Sequence, residues 1–188
     1  MLQLNKINKE WTLFIDRDGV INHEKTNDYI HKWEEFLFYE GALEAFEIFA
    51  KIFKYIIVIT NQKGVGKGLT NEADLITIHQ NMQAAIQNAQ GKIDAVYYCP
   101  DLDDTSKNRK PNPGMGLQAL AHFKDIDITK AIMVGNTLSD MHFGRNLGVH
   151  TVFLTTTRPE VDVTDLVIDL AYPTLIAFAQ ALLQKIVK

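Results

Sequence analysis

The run YIIVIT at residues 55–60 is continuous, apolar and rich in β-branched side chains. Such a run suits a strand buried on both faces, inside a parallel sheet with helices above and below. WTLFI (11–15), DAVYYC (94–99), AIMVG (131–135) and HTVFL (150–154) read as further short strands, and DLVI (165–168) as an edge strand. Helical patterns lie between them. GALEAFEIFAKIF (41–53) places Leu43, Phe46, Phe49, Ala50 and Phe53 at helical spacing, and NEADLITIHQNMQAAIQNAQ (71–90) opens on Asn71 as its N-cap. Further helices are predicted over 114–123, over 138–147 with Gly148 as its stop, and over about 172–187. This alternation predicts βαβ units and an α/β fold: an open, doubly wound, Rossmann-like parallel sheet with helices on both faces.

The length of 188 residues suits one domain, and no repeat or long linker divides residues 1–188. The chain is 46% hydrophobic and 22% charged, with a mean hydropathy of −0.09, an ordinary globular balance. A net charge of −4, with no window that gathers Lys and Arg, argues against a nucleic-acid surface. The single cysteine, Cys99, rules out an internal disulfide and fits a reducing compartment and a core position. MLQLNKINKEW lacks the apolar centre of a signal peptide, and no apolar run approaches the ~18 residues of a membrane span. A cytoplasmic monomer without a membrane partner is expected.

In open α/β sheets, ligands bind beyond the carboxyl ends of the strands, where the strand order reverses. Four polar clusters fall at such places: DRDG after the first strand, TNQKG after the second, NRKPNPG beyond the third and GNTLSD after the fourth. Asp16 and Asp18 offer a nucleophile and a second carboxyl for proton transfer. Thr60 and Asn61 offer neutral donors, Lys110 a fixed positive charge, and Asn136 with Asp140 further oxygen ligands. So many oxygens favour a hard cation, Mg²⁺ above all. Phosphoryl transfer needs this combination, because an anionic nucleophile approaches a charged group only when that charge is neutralised. Asp16 would form an aspartyl-phosphate, and Asp18 would protonate the leaving oxygen and then take a proton from water. Plainer roles exist: a turn for the aspartates, a helix cap for Asn136, an exposed first-turn acid for Asp140. GVGKG (64–68) is not a P-loop, since that pattern requires Gly at 61 and Ser or Thr at 68, where Asn61 and Gly68 stand. It is expected as a flexible loop near the phosphate. The histidines show no ligand spacing; His31, near Tyr29 in the loop after the nucleophile, is the one candidate for a substrate contact.

The ordered set D-x-D-G, strand-T-N, K-P and V-G-N-x-x-x-D resembles the haloacid dehalogenase-like (HAD) hydrolases. FIDRDGVIN, VITNQKGVGKG, YYCP, RKPNPGM and MVGNTLSDM resemble the branch of histidinol-phosphate and heptose-bisphosphate phosphatases, over roughly residues 11–155. The resemblance implies Asp16 as nucleophile, Asp18 as general acid and base, and Thr60 and Lys110 around the phosphoryl group. It implies Mg²⁺ among Asp16, the Asp18 carbonyl and the fourth motif, and Arg109 as a substrate contact. Asn136 stands where branch members commonly carry Asp, which removes a charge and predicts weaker metal binding. Many relatives also bind zinc through C-P-H and C-x-C. This chain reads CPD at 99–101 and SKN at 106–108, so only Cys99 remains and no zinc is expected.

Asp16 and Thr60 are 44 positions apart, and Thr60 and Lys110 are 50 apart. The core elements fill both intervals, so no separate cap domain is expected. Short loops, such as the one at 22–38, would grip the substrate, and selectivity would lie there and at position 101. The leading reading is a phosphatase of a small phosphorylated metabolite, such as a heptose bisphosphate or histidinol phosphate. The alternatives are a catalytically impaired homologue that only binds a phosphorylated ligand, and a polynucleotide-end phosphatase.

Overall fold

The computed structural model describes residues 2–186. All four residues of β1 (Thr12–Ile15) are buried, and their side chains alternate between two cores. Leu13 and Ile15 point to one core, Phe14 to the other. In β2 (Tyr55–Asn61), Ile56 and Val58 join the first core and Ile57 and Ile59 the second. A strand with both faces covered has no polar face, which is why these runs are continuously apolar.

With β3 (Ala95–Cys99), β4 (Ala131–Gly135), β5 (His150–Leu154) and β6 (Leu170–Tyr172), they form one six-stranded sheet in the order β3-β2-β1-β4-β5-β6. Every pairing is parallel. The order reverses between β1 and β4. Helices α1 (Ala42–Ile52), α3 (Glu72–Asn88) and α6 (Leu175–Ile186) pack on the first core through Phe46, Phe49, Met82 and Phe178. Helices α4 (Gly114–His122) and α5 (Leu138–Leu147) cover the second through Met115, Ala119, Phe143 and Leu147. Asn71 caps α3, its Oδ1 accepting from the Ala73 amide at 2.9 Å. Gly148, in the left-handed region, ends α5. Among the described residues no helix is long and apolar enough to cross a membrane.

Two expectations change. The edge strand is not DLVI but Leu170–Tyr172, paired with Val152–Leu154. Residues 162–168 instead turn: Asp165 accepts from the Val167 amide at 3.0 Å, and Leu166 is 93% exposed. Asp169 sets the register, accepting from the Thr151 amide at 3.0 Å, and α6 therefore begins only after Pro173 and Thr174. The stretch GVGKG is not a loose loop either. Lys63–Gly66 forms a short helical turn, α2, and the Leu69 and Thr70 amides both donate to the Gly64 carbonyl.

Candidate active site

Beyond β1 the ladder continues one step, with the Asp16 amide donating to the Val134 carbonyl at 3.0 Å. That step carries Asp16 to the reversal point, where its side chain is nearly buried. Lys110 Nζ lies 2.8 Å from Asp16 Oδ1 and 2.6 Å from Asp140 Oδ1, and donates to the Ile59 carbonyl at 2.9 Å. Two carboxylates thus share one buried ammonium, a formal excess of one negative charge. Burial pushes Asp16 up to about 7; the Lys110 charge offsets that in part, and the Asp140 charge adds to it. Burial pulls Lys110 the other way, but the two carboxylates prevail and hold it above its ordinary value. Lys110 owes its position to Asn61, whose Oδ1 accepts from the Lys110 amide at 3.0 Å while its Nδ2 donates to the Lys110 carbonyl at 3.1 Å.

Asp18 sits in a clamp of donors. Arg17 Nη2 donates to both of its oxygens at 2.9 and 2.8 Å, Asn22 Nδ2 to Oδ1 at 2.9 Å, and Gln62 Nε2 to Oδ2 at 2.8 Å. Burial alone would raise this carboxyl, but the Arg17 charge and these hydrogen bonds outweigh it and hold it below the usual range. Gln62 Nε2 also donates to Thr60 Oγ1 at 2.9 Å, linking the first and second motifs. Arg17 is itself buried, and its Nη1 lies 3.0 Å from Nε2 of His79 on α3. Burial, with the Arg17 charge beside it, lowers His79 to about 3, so its ring is neutral and Nε2 accepts. Sequence reading passed over Arg17 and His79. An arginine between two aspartates at a strand end, and a histidine among Leu75, Ile78 and Met82 on the apolar face of α3, were the available signals.

Asn136 and Asp140 do not take the plainer roles. Thr137 is the N-cap of α5, in a capping box with Asp140, whose Oδ2 accepts from the Thr137 amide at 3.0 Å and hydroxyl at 2.7 Å. Asp140 is fully buried rather than an exposed first-turn acid. Gly135 makes this possible, since a Cβ there would come within 2.2 Å of the Asp140 side chain. Gly19, at φ +83°, likewise lets the first motif close on Asn136: a Cβ there would lie 2.0 Å from Asn136 Nδ2. Asn136 is fully buried; its Nδ2 donates to Thr157 Oγ1 at 2.6 Å, and its Oδ1 has no hydrogen-bond partner. A fully buried amide oxygen without a partner, on the residue after β4, suits a hard cation with oxygen ligands.

Residues 11–179 match the polynucleotide kinase 3 phosphatase family. The chain belongs to the HAD phosphatases. It is 37% identical over 139 residues to a D-glycero-alpha-D-manno-heptose-1,7-bisphosphate 7-phosphatase of Mycobacterium tuberculosis, covering 73% of each chain. To the D-glycero-beta-D-manno-heptose-1,7-bisphosphate 7-phosphatase of Photorhabdus laumondii it is 30% identical over 158 residues, 80% of this chain and 82% of the other. Among solved structures it resembles the D,D-heptose 1,7-bisphosphate phosphatase of B. bronchiseptica in complex with magnesium and phosphate, at a TM-score of 0.82 and 27% identity. That alignment covers 93% of this chain and 99% of the other.

In this HAD phosphatase two adjoining cavities meet at Asp18, Glu24 and Asn61. The larger, about 290 Å³, is lined by Asp16, Thr60, Lys110, Asp140 and Arg109, among others. The smaller, about 180 Å³, is lined by Lys25, Asp28 and Tyr29 from the loop at 22–38 and by Arg17 and Gln62. His31 lines neither. Its Nδ1 lies 2.8 Å from Thr70 Oγ1 and its Nε2 3.0 Å from Asp28 Oδ1, so both ring nitrogens are engaged within the protein. Arg109 is held by Asp104 at 2.8 Å. In the loop after β3, Ser106 Oγ donates to Asp101 Oδ2, and the Asn108 amide donates to Ser106 Oγ at 3.3 Å.

Proposed function

We propose that this phosphatase hydrolyses a small phosphorylated sugar, with Mg²⁺ and through an aspartyl-phosphate on Asp16. The observation that carries the reading is the triad of Asp16, Lys110 and Asp140, buried at the reversal point beside a cavity that Thr60 and Asn61 also line. Asp16 Oδ1 is held by Lys110 and by the Arg17 amide at 2.7 Å, which leaves the other oxygen to attack phosphorus. Asp16, the Asp18 carbonyl and Asn136 would hold the metal, with Asp140 acting through Lys110. When bound, Mg²⁺ supplies the positive charge that the buried anionic excess lacks and draws charge off the phosphoryl oxygens. Lys110 and the Thr60 hydroxyl steady the oxygens that gain charge as the bond to the leaving group breaks. Asp18 lines both cavities; turned out of the clamp that keeps it ionised and protonated from solvent, it would give that proton to the leaving oxygen and later take one from the attacking water. The leaving group lies in the smaller cavity, where Glu24, Asp28 and Lys25 meet hydroxyl groups, with Arg109 at the rim for a second anionic group. The named relatives support a heptose bisphosphate first.

The test is hydrolysis of a panel containing heptose bisphosphate, histidinol phosphate and a 3′-phosphorylated oligonucleotide, by wild type and Asp16→Asn. The sugar phosphate is expected to turn over fastest, and Asp16→Asn to lose at least ~10³-fold in rate. Near-normal turnover by the variant would remove Asp16 from the chemistry. Preference for the oligonucleotide would replace the sugar reading, and no turnover of any phosphoester would favour a phospho-ligand-binding role.

A further inference from the structure

An asparagine at position 136 raises a requirement that a carboxylate there would not. Its amide carries N–H donors as well as an oxygen, and in a fully buried side chain each needs a partner. It can also face either way, and only one orientation offers oxygen to a cation. Thr157 supplies the acceptor that the N–H needs, in the orientation that leaves the oxygen free. Asn136 Nδ2 donates to Thr157 Oγ1 at 2.6 Å, while Asn136 Oδ1, on the other arm of the amide, is the atom left without a partner.

Thr157 lies in the turn after β5, outside the four motifs, and its surroundings fix it. The Thr155 amide donates to the Tyr172 carbonyl at 3.0 Å, and Thr156 Oγ1 to the Pro173 carbonyl at 2.8 Å. Arg158 Nη1 donates to the Thr157 carbonyl at 2.9 Å and to Glu24 Oε1 at 3.1 Å. The hydroxyl is thus presented from a backbone tied to β6 and to the cavity rim. A partner behind a ligand sets the ligand's orientation, and its loss commonly weakens metal binding ~10–100-fold.

We infer that Thr157 is a positioning residue for the metal: its hydroxyl takes the Asn136 amide N–H and so turns Oδ1 into the site. The inference rests on the Mg²⁺ reading given above. Asn136 would then be a ligand that works only as half of a pair, the other half being contributed by the turn after β5. With Asp at 136 the pair would matter less, because either carboxylate oxygen can ligate and no N–H needs an acceptor.

The test is Mg²⁺ binding by isothermal titration calorimetry, without substrate, to wild type, Thr157→Val, Thr157→Ser, Asn136→Asp, Asn136→Ala and the Asn136→Asp/Thr157→Val double variant. Thr157→Val keeps the shape and is expected to raise Kd about tenfold, whereas Thr157→Ser keeps the hydroxyl and should bind as wild type. In the Asn136→Asp background the same valine should change Kd by no more than about twofold. Wild-type affinity in Thr157→Val, or an equal loss in both backgrounds, overturns the pairing. Asn136→Ala separates the levels: unchanged Mg²⁺ affinity there overturns Asn136 as a ligand, whereas weakened affinity there with wild-type affinity in Thr157→Val overturns only the role of Thr157.

Discussion

The two sides of the cavity are built in opposite ways. On the phosphoryl side, Asp16, Lys110 and Asp140 are buried and paired at 2.6–2.8 Å; Asp16 follows a strand end, Lys110 is pinned to Asn61 at the end of β2, and Asp140 sits in the first turn of α5. On the leaving-group side, Lys25, Asp28, Glu35 and His31 bond one another across a loop, and Asp104 reaches Arg109 at 2.8 Å while itself 80% exposed. Buried charges act in a low effective dielectric and are costly to separate, whereas exposed pairs are worth little and exchange partners with water. One side is therefore fixed before substrate arrives, and the other can rearrange around it.

The sharpest way to break this contrast is Lys110→Met, which leaves two buried carboxylates facing each other without their cation. Activity should fall by at least ~10²–10³-fold, and folding stability by about 3–5 kcal/mol at neutral pH, read by kcat and urea melts. A loss typical of a surface lysine, within about 0.5 kcal/mol, would mean that the phosphoryl side is no more prebuilt than the loops.

A smaller effect sharpens the contrast through pH. The ordinary histidine value is 6.5, and burial lowers His79 to about 3, so between these the unfolded chain binds the extra proton. His79 therefore contributes stability above about pH 6.5 that is lost progressively as pH falls toward 3. Gln can accept from Arg17 and does not titrate, so His79→Gln should flatten the loss of stability between pH 7 and about 4. Parallel wild-type and variant curves from urea melts would show that His79 is not the neutral acceptor behind Arg17. The smallest expected effect concerns the loop at 99–112. Held by Asp101, Ser106 and Asn112 bonds, it should carry well under one equivalent of zinc by elemental analysis, and chelator should leave its melting temperature unchanged. Stoichiometric, chelator-resistant zinc would reverse that view of the loop.

The same division explains what the sequence could tell. Strands such as YIIVIT are legible because burial on both faces leaves an unbroken apolar signature, and the motif residues because they stand where strands end. The edge strand was misplaced because DLVI imitates a strand in composition, whereas the register is set where Asp169 meets the distant Thr151, through the amide and side chain of both. His79 carried only its place on the apolar face of α3, and Thr157 no local mark. Their roles arise from contacts across 62 and 21 positions of chain, which no periodicity encodes. His31 was singled out by its place in the loop alone; the bonds of its two ring nitrogens to Thr70 and Asp28 could not be read from that place.

Asn61 deserves a last consequence. By accepting from the Lys110 amide and donating to the Lys110 carbonyl, it does with a side chain what a neighbouring strand does with its backbone. The lysine is thereby anchored at its own residue, independent of the path the chain takes to reach it from β3. Insertions, deletions and altered residues in that approach can be absorbed without displacing the ammonium group. The loop between β3 and the lysine is therefore the part of this wall most free to vary.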